Sequence, residues 1–210
     1  RAGKDVTLLA RGAWGESIQK NGLRIKDKFS PRMSVSRIPV VTELKAEDKY
    51  DVIFVVLRYT QLDAILDTLR ANPTKNIVFV GNDVRASALS ASLPEKNVMF
   101  AFASSAGHRE REYVASIDLK KITIGQIAGA PSNETLIGQI FDGTKYKVAY
   151  EPNMEDYLLC HAAFVLPVVS GVRLLQGRRR PQKAQGQHSL LKSLDRCQHR
   201  GLPCDQKRGT

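Results

Sequence analysis

Apolar positions along this chain gather into short runs of two kinds, which alternate from near its start to about residue 150. One kind is continuous. Residues 51–57 read Asp-Val-Ile-Phe-Val-Val-Leu and residues 76–80 read Asn-Ile-Val-Phe-Val, as expected of parallel strands buried on both faces. Residues 6–10 and 98–103 predict further strands of this type. The other kind is periodic. Between 61 and 70, Leu62, Ile65, Leu66 and Leu69 fall on one face of a helix. Helices are also expected over 84–92 and 133–141, with a short one over 14–20 closed by the turn pair Asn21-Gly22. Residues 23–26 and 35–41 predict strands of a β excursion with Pro31 and Pro39 at its margins. Residues 113–117 and 121–125 predict a pair of sheet strands, and 147–150 a last short one.

Beyond residue 150 the alternation stops. In 154–169, Tyr157, Leu158, Ala162, Phe164, Val165 and Leu166 leave a helix with little polar face, which Pro167 should kink or end. A helix this apolar needs a partner surface. From Gly171 onward the chain turns Arg-, Gln- and Gly-rich, and only Leu190, Leu191 and Leu194 hint at a brief helix, so 171–210 is expected to be largely disordered. The abrupt change also fits a reading-frame error or aberrant splice in the source gene. Three segments follow: an α/β unit over 1–152, an apolar helix over 153–170 that would open a second domain, and a basic tail over 171–210.

Charge sharpens that division. The net charge is +11, yet the tail alone carries ten Lys/Arg against Asp195 and Asp205, leaving 22 basic and 19 acidic residues in 1–170. The globular part is nearly neutral. No run of 18 apolar residues is present, so no membrane-spanning helix is expected. The start lacks the continuous apolar core of a signal peptide. Cys160, Cys197 and Cys204 are too few for a disulfide scaffold, and with His188 and His199 they match no common zinc-finger spacing. A reducing, cytoplasmic setting is the expectation, with no metal.

The opening residues, Lys4 to Gly12, place a short apolar strand directly before Arg11-Gly12. In a dinucleotide-binding βαβ unit, the end of the second strand meets the adenosine ribose, where an arginine suits the 2′-phosphate of NADP. A strand and Gly-x-Gly-x-x-Gly turn would stand before this point. The expected fold is therefore α/β, a Rossmann-like, doubly wound, mostly parallel sheet lacking its first strand and glycine-rich turn, followed by a disordered basic tail.

Several ordered segments carry a more specific likeness. Residues 4–12 with Trp14, Asn21-Gly-Leu-Arg-Ile25, Pro39-Val-Val-Thr42, and residues 51–57 with Gln61-Leu-Asp63 resemble the N-terminal domain of ketopantoate reductase (2-dehydropantoate 2-reductase). The likeness extends over residues 1 to about 170. It implies reduction of a 2-keto acid with NADPH, in a cleft closed by a helical C-terminal domain. By position it implies Arg11 as the 2′-phosphate ligand, against a solvated arginine ending a strand. Arg58 stands where the family has a lysine, at the carboxyl end of a buried strand, to meet phosphate or substrate carboxylate, against a simple surface arginine. Asn82 matches the family's asparagine for cofactor ribose or substrate, although Asp83 replaces the following glycine; helix N-capping by Asn82 or Asp83 competes. His108, among Arg109, Glu110, Arg111 and Glu112, reads as part of a solvated loop. Thr123-Ile-Gly125 is read as structural.

The same likeness exposes a departure. The family's apolar helix supplies a lysine that protonates the carbonyl oxygen and asparagines that hold substrate. Leu158 stands at the lysine position, with Ala162 and Leu166 at asparagine positions. None transfers a proton. His161 is the nearby group titrating near neutrality, although a histidine in an apolar helix is more often structural.

Three function classes result. The first is an NADPH-dependent oxidoreductase acting on 2-dehydropantoate or a similar 2-keto acid, impaired by the departures above. The second is a non-catalytic family remnant that binds a partner, its apolar helix favouring association such as a homo-oligomer. The third, nucleic-acid binding by the tail, is disfavoured because the tail has no aromatic residue for stacking.

Overall fold

The computed structural model describes residues 2–177, and side chains through Val165. Two compact units divide the chain, residues 1–165 and 166–210. The packing described below is that of the first unit. Nine strands and six α-helices follow in chain order: β1 Leu8–Leu9, α1 Gly12–Asn21, β2 Leu23–Asp27, β3 Ser34–Ser36, β4 Val40–Val41, β5 Ile53–Val55, α2 Tyr59–Leu62, α3 Leu66–Ala71, β6 Asn76–Val80, α4 Ala86–Ala91, β7 Asn97–Arg109, β8 Val114–Gly125, α5 Glu134–Phe141, β9 Lys147–Glu151 and α6 Met154–Gly177. This is a mixed α/β fold of the expected Rossmann-like kind, with a mostly parallel sheet.

The strands form two sheets. β1 pairs in parallel with β4 alone, Leu8 opposite Val40 and Leu9 opposite Val41. The larger sheet has the order β3-β2-β8-β7-β6-β5, with β9 also pairing β8. β5, β6 and β7 are parallel, so their carboxyl ends open on one side. Side chains of β6 alternate between two cores: Ile77 and Phe79 join Val98, Phe100, Leu89 and Leu93, while Val78 joins Met99, Ile124 and Ile137. That two-sided burial is why its sequence is continuously apolar.

The first core also receives α6, whose Met154 and Leu158 are buried against it. Between α3 and β6, buried Asn72 donates from Nδ2 to the carbonyls of Lys45 and Asp48, on the chain entering β5, at 2.9 and 2.7 Å, and accepts from Thr74 N. Polar groups buried there are thus satisfied by bonds that pin the entering chain.

Several elements depart from the sequence expectation. Residues 35–41 do not form one strand but two, β3 and β4, which belong to different sheets. The helix expected over 61–70 is divided into α2, a 3-10 turn over Asp63–Ile65, and α3. Residues 113–117 and 121–125 do not pair with each other. They are halves of one strand, β8, whose register against β7 jumps between Ala103 and Ser105. At that bulge Lys120 takes a positive φ of 54°, and Asp118 accepts both its backbone N, at 3.0 Å, and its Nζ, at 2.6 Å. The bend lets one strand serve β2 with its first half and β9 with its second. β7 likewise runs on past 103 to Arg109, so His108 lies on a strand and not in a loop, bonded to Glu110 at 2.8 Å.

α6 continues through Pro167 to Gly177, so the proline does not end it, and the expected segment boundary at 170/171 falls inside the helix. The rest of the expected tail, with His188, Cys197, His199 and Cys204, lies outside the described residues. Among the described residues no helix is long and apolar enough to cross a membrane.

Candidate functional site

Parallel strands leave their carboxyl ends, and the turns that follow them, open as a crevice in which ligands bind. Here β5 leads to Leu57-Arg58-Tyr59 and β6 leads to Gly81-Asn82-Asp83, and between these turns lies a cavity of about 420 Å³. Its floor is apolar: Val55, Phe79, Phe100 and Leu158 close it from the core. Its mouth carries Arg58, Asn82 and Asp83.

Arg58 is exposed and precedes α2 in extended backbone, φ −68° and ψ 145°. Its own backbone N donates to Gln61 Oε1 at 3.3 Å, and its carbonyl accepts from Gln61 N at 2.8 Å, so the turn is fixed while the guanidinium stays clear. Among the described residues the Arg58 guanidinium has no ion-pair partner. Asn82 is also exposed, and its side-chain amide makes no hydrogen bond among the described residues; Gly81 N donates to Ala101 O at 2.9 Å and ties the turn to the sheet. Asn82 therefore caps no helix. The N-cap of α4 is Arg85, and the competing reading of Asn82 or Asp83 in that place does not hold.

Asp83 points back to Arg85. Its Oδ1 accepts from Arg85 N at 2.9 Å and Nε at 3.2 Å, and its Oδ2 from Nη2 at 3.0 Å. Those bonds, the one to Asp83 foremost, raise the guanidinium's pKa above its ordinary value, so Arg85 is a permanent cation. α4 is joined in turn to α6, where Glu155 accepts from Ser87 N at 3.1 Å and Ser87 Oγ at 2.5 Å. A carboxylate against the first turn of a helix answers its free N–H groups.

The remaining candidates are dispersed. Arg11 is exposed at the carboxyl end of β1 as the N-cap of α1 and does not line the cavity. One turn on, the Trp14 ring lies under the guanidinium of Arg109, 4.6 Å from its centroid. Leu158, at the position the family resemblance gives to a lysine, does face the cavity. His161, one turn further along α6, does not line it; its ring packs 4.0 Å from that of Phe102 and stacks near Tyr157. Burial lowers its pKa, which favours the neutral ring near pH 7. Tyr157 is held by a 3.2 Å bond between its hydroxyl and Thr123 Oγ1. No cluster of metal-ligating side chains exists among the described residues.

Tyr59, Asp63 and Arg85 escaped the sequence reading. The signal available was faint: an acid and a base two apart at Asp83 and Arg85, in the turn that also carries Asn82.

Comparison with known proteins supplies an independent measure. A family model described as ketopantoate reductase PanE/ApbA matches residues 1–129. No curated protein matches the sequence. Among solved structures, 2-dehydropantoate 2-reductase from Methylococcus capsulatus aligns with a TM-score of 0.64 at 18% identity, over 81% of this chain and 58% of that one. The same enzyme from Porphyromonas gingivalis W83 gives 0.60 at 18% identity, over 73% and 56%. D-mandelate dehydrogenase, in a ternary structure with NADH and anilino(oxo)acetate, gives 0.57 at 14% identity, over 71% and 50%. At these identities the structures establish the fold. The chain spans between 50% and 58% of the length of each.

Proposed function

This chain belongs to the ketopantoate reductase PanE/ApbA family, and from that premise we propose that its cleft binds NADPH for reduction of a 2-keto acid such as 2-dehydropantoate. The observation that carries the reading is the placing of a cation, Arg58, and an amide, Asn82, neither partnered among the described residues, across the crevice at the carboxyl ends of β5 and β6. A guanidinium offers five fixed donors suited to phosphate or carboxylate. Exposed, uncommitted polar groups at that place fit a polyanionic nucleotide. Arg11 would hold the adenosine 2′-phosphate, Arg58 the pyrophosphate or the substrate carboxylate, and Asn82 a ribose hydroxyl or substrate oxygen. The chemistry such a cofactor supplies when bound is hydride transfer to the keto carbon.

The chain's own part is to hold, orient and shield. Val55, Phe79 and Phe100 form an apolar floor, and a bound ligand that excludes water there would strengthen the polar bonds above it. The carbonyl oxygen must also gain a proton. Leu158 cannot give one, and His161 on the same helix lies outside the cavity lining with its pKa lowered by burial.

That same leucine favours a second reading, in which the chain binds nucleotide without turnover. Titration with NADPH and NADH, followed by Trp14 fluorescence and thermal melting, tests the first claim. Saturable binding with preference for NADPH, weakened in Arg11→Ala, is expected. Binding without reduction of any 2-keto acid would support the non-catalytic reading, and a folded chain that binds neither nucleotide would overturn both.

A further inference from the structure

The two turns that bear Arg58 and Asn82 leave neighbouring strands whose pairing stops at Val55 and Phe79, and among the described residues no backbone hydrogen bond joins the turns beyond that point. One side chain spans the gap. Arg85 Nη2 donates to the carbonyl of Tyr59 at 3.0 Å and to Asp83 Oδ2 at 3.0 Å. Its Nη1 reaches Asp63 Oδ1 at 3.3 Å and Oδ2 at 3.4 Å, and its Nε meets Asp83 Oδ1 at 3.2 Å. Tyr59 is the neighbour of Arg58, and Asp83 is the neighbour of Asn82. Among the described residues no other hydrogen bond joins 58–63 to 81–85. We propose that Arg85 is a positioning residue, a clip that ties the turn after β5 to the turn after β6 and thereby sets the spacing of Arg58 and Asn82 for the nucleotide.

Geometry makes arginine the residue for this task. Three nitrogens in one plane address three partners on two turns at once, which a single ammonium cannot do. The arms differ in strength. Asp83 is the more enclosed partner, its side chain 12% exposed, whereas Asp63 is 70% exposed and its pairing is screened by solvent. The clip's charge is also consumed locally. Two carboxylates face Arg85, so among the described residues Arg58 remains an uncommitted cation at the cleft, and an anion entering it is directed there. This inference rests on the cofactor reading for its ligand, but the clip itself is measurable without one.

Amide hydrogen exchange on the full chain, together with NADPH titration, decides it. In Arg85→Ala, amides of 59–62 and 81–83 should both exchange faster by about tenfold or more, as the loss of charged hydrogen bonds implies, with 98–101 in the core unchanged. Arg85→Lys should leave them fast, since it keeps the charge and loses the fork. Asp63→Asn should change little. Should Arg85→Ala not fold, Asp83→Asn weakens the same fork at nearly constant size and should loosen the same two turns together. Unchanged exchange, or a response in 81–83 alone, overturns the clip. NADPH affinity should fall about tenfold in Arg85→Ala and Arg85→Lys alike. If the wild type binds NADPH and Arg85→Ala binds it equally well, the positioning role falls while the cofactor reading stands. If the wild type binds none, the cofactor reading falls, and exchange alone decides the clip.

Discussion

β1 and β6 are both short, apolar, parallel strands that end at a candidate nucleotide ligand, yet their surroundings are opposites. β6 is five residues long, with strands on both sides, helices over both faces, and Ile77 and Val78 fully buried. β1 pairs over two residues with β4 alone, and Leu9 is 42% exposed. Asn82 therefore takes its position from a strand buried between two cores, and Arg11 from a two-residue ribbon. The difference teaches that the candidate site residues are held unequally: the turns bearing Arg58 and Asn82 by the core and the side-chain bonds of Arg85, Arg11 by much less.

The strongest test of this contrast removes apolar volume from each strand. Ile77→Ala should cost about 2–5 kcal/mol by leaving a cavity between two packed layers. Leu9→Ala should cost about 1 kcal/mol or less, because its side chain already meets water. Urea unfolding of both variants checks the pair, and equal losses would erase the distinction. Next in size is Gly125→Ala, where a Cβ would stand 1.7 Å from the carbonyl oxygen of Glu151. The β8–β9 pairing must then part, at about 1–3 kcal/mol, seen as a lower denaturation midpoint.

Ligand binding sharpens the contrast further. Arg58→Ala should weaken NADPH and NADH alike, by about 10- to 100-fold for a lost charged hydrogen bond. Arg11→Ala should weaken NADPH alone, and by less, since a ligand on a loosely held ribbon spends part of its binding energy on ordering. Titration of both nucleotides against both variants separates them; a loss in Arg11→Ala shared by NADH would mean that Arg11 does not read the 2′-phosphate.

The smallest expected effect lies at the bulge of β8, far in sequence from the cleft residues. Burial foremost, then a 2.7 Å bond to Asp118, pushes the Tyr146 hydroxyl up to about 12. The folded state thus holds this proton more tightly than the unfolded one. The resulting stability is present below pH 10 and is lost as pH rises toward 12. Thermal melts from pH 9 to 12 should show a shallower alkaline decline in Tyr146→Phe. A decline of unchanged slope would show that the hydroxyl adds nothing.

Sequence alone determined whatever depends on local pattern. The continuous run at 76–80 specified a strand buried on both faces, the spacing of Leu62, Ile65, Leu66 and Leu69 specified the face of the helical segment, and ordered segments from Lys4 to Asp63 specified the family. These rest on side-chain periodicity, which neighbouring residues set among themselves. What the tertiary structure decided depends on partners distant in the chain. It joined 114–125 into one bent strand that pairs with both β2 and β9, split the expected helix at Asp63, and carried α6 through Pro167. It turned Leu158 toward the cleft and His161 toward Phe102, and it brought Arg85 to Tyr59, 26 residues away in sequence. A hydrogen bond between two turns leaves no period in either of them, so only the folded chain could place it.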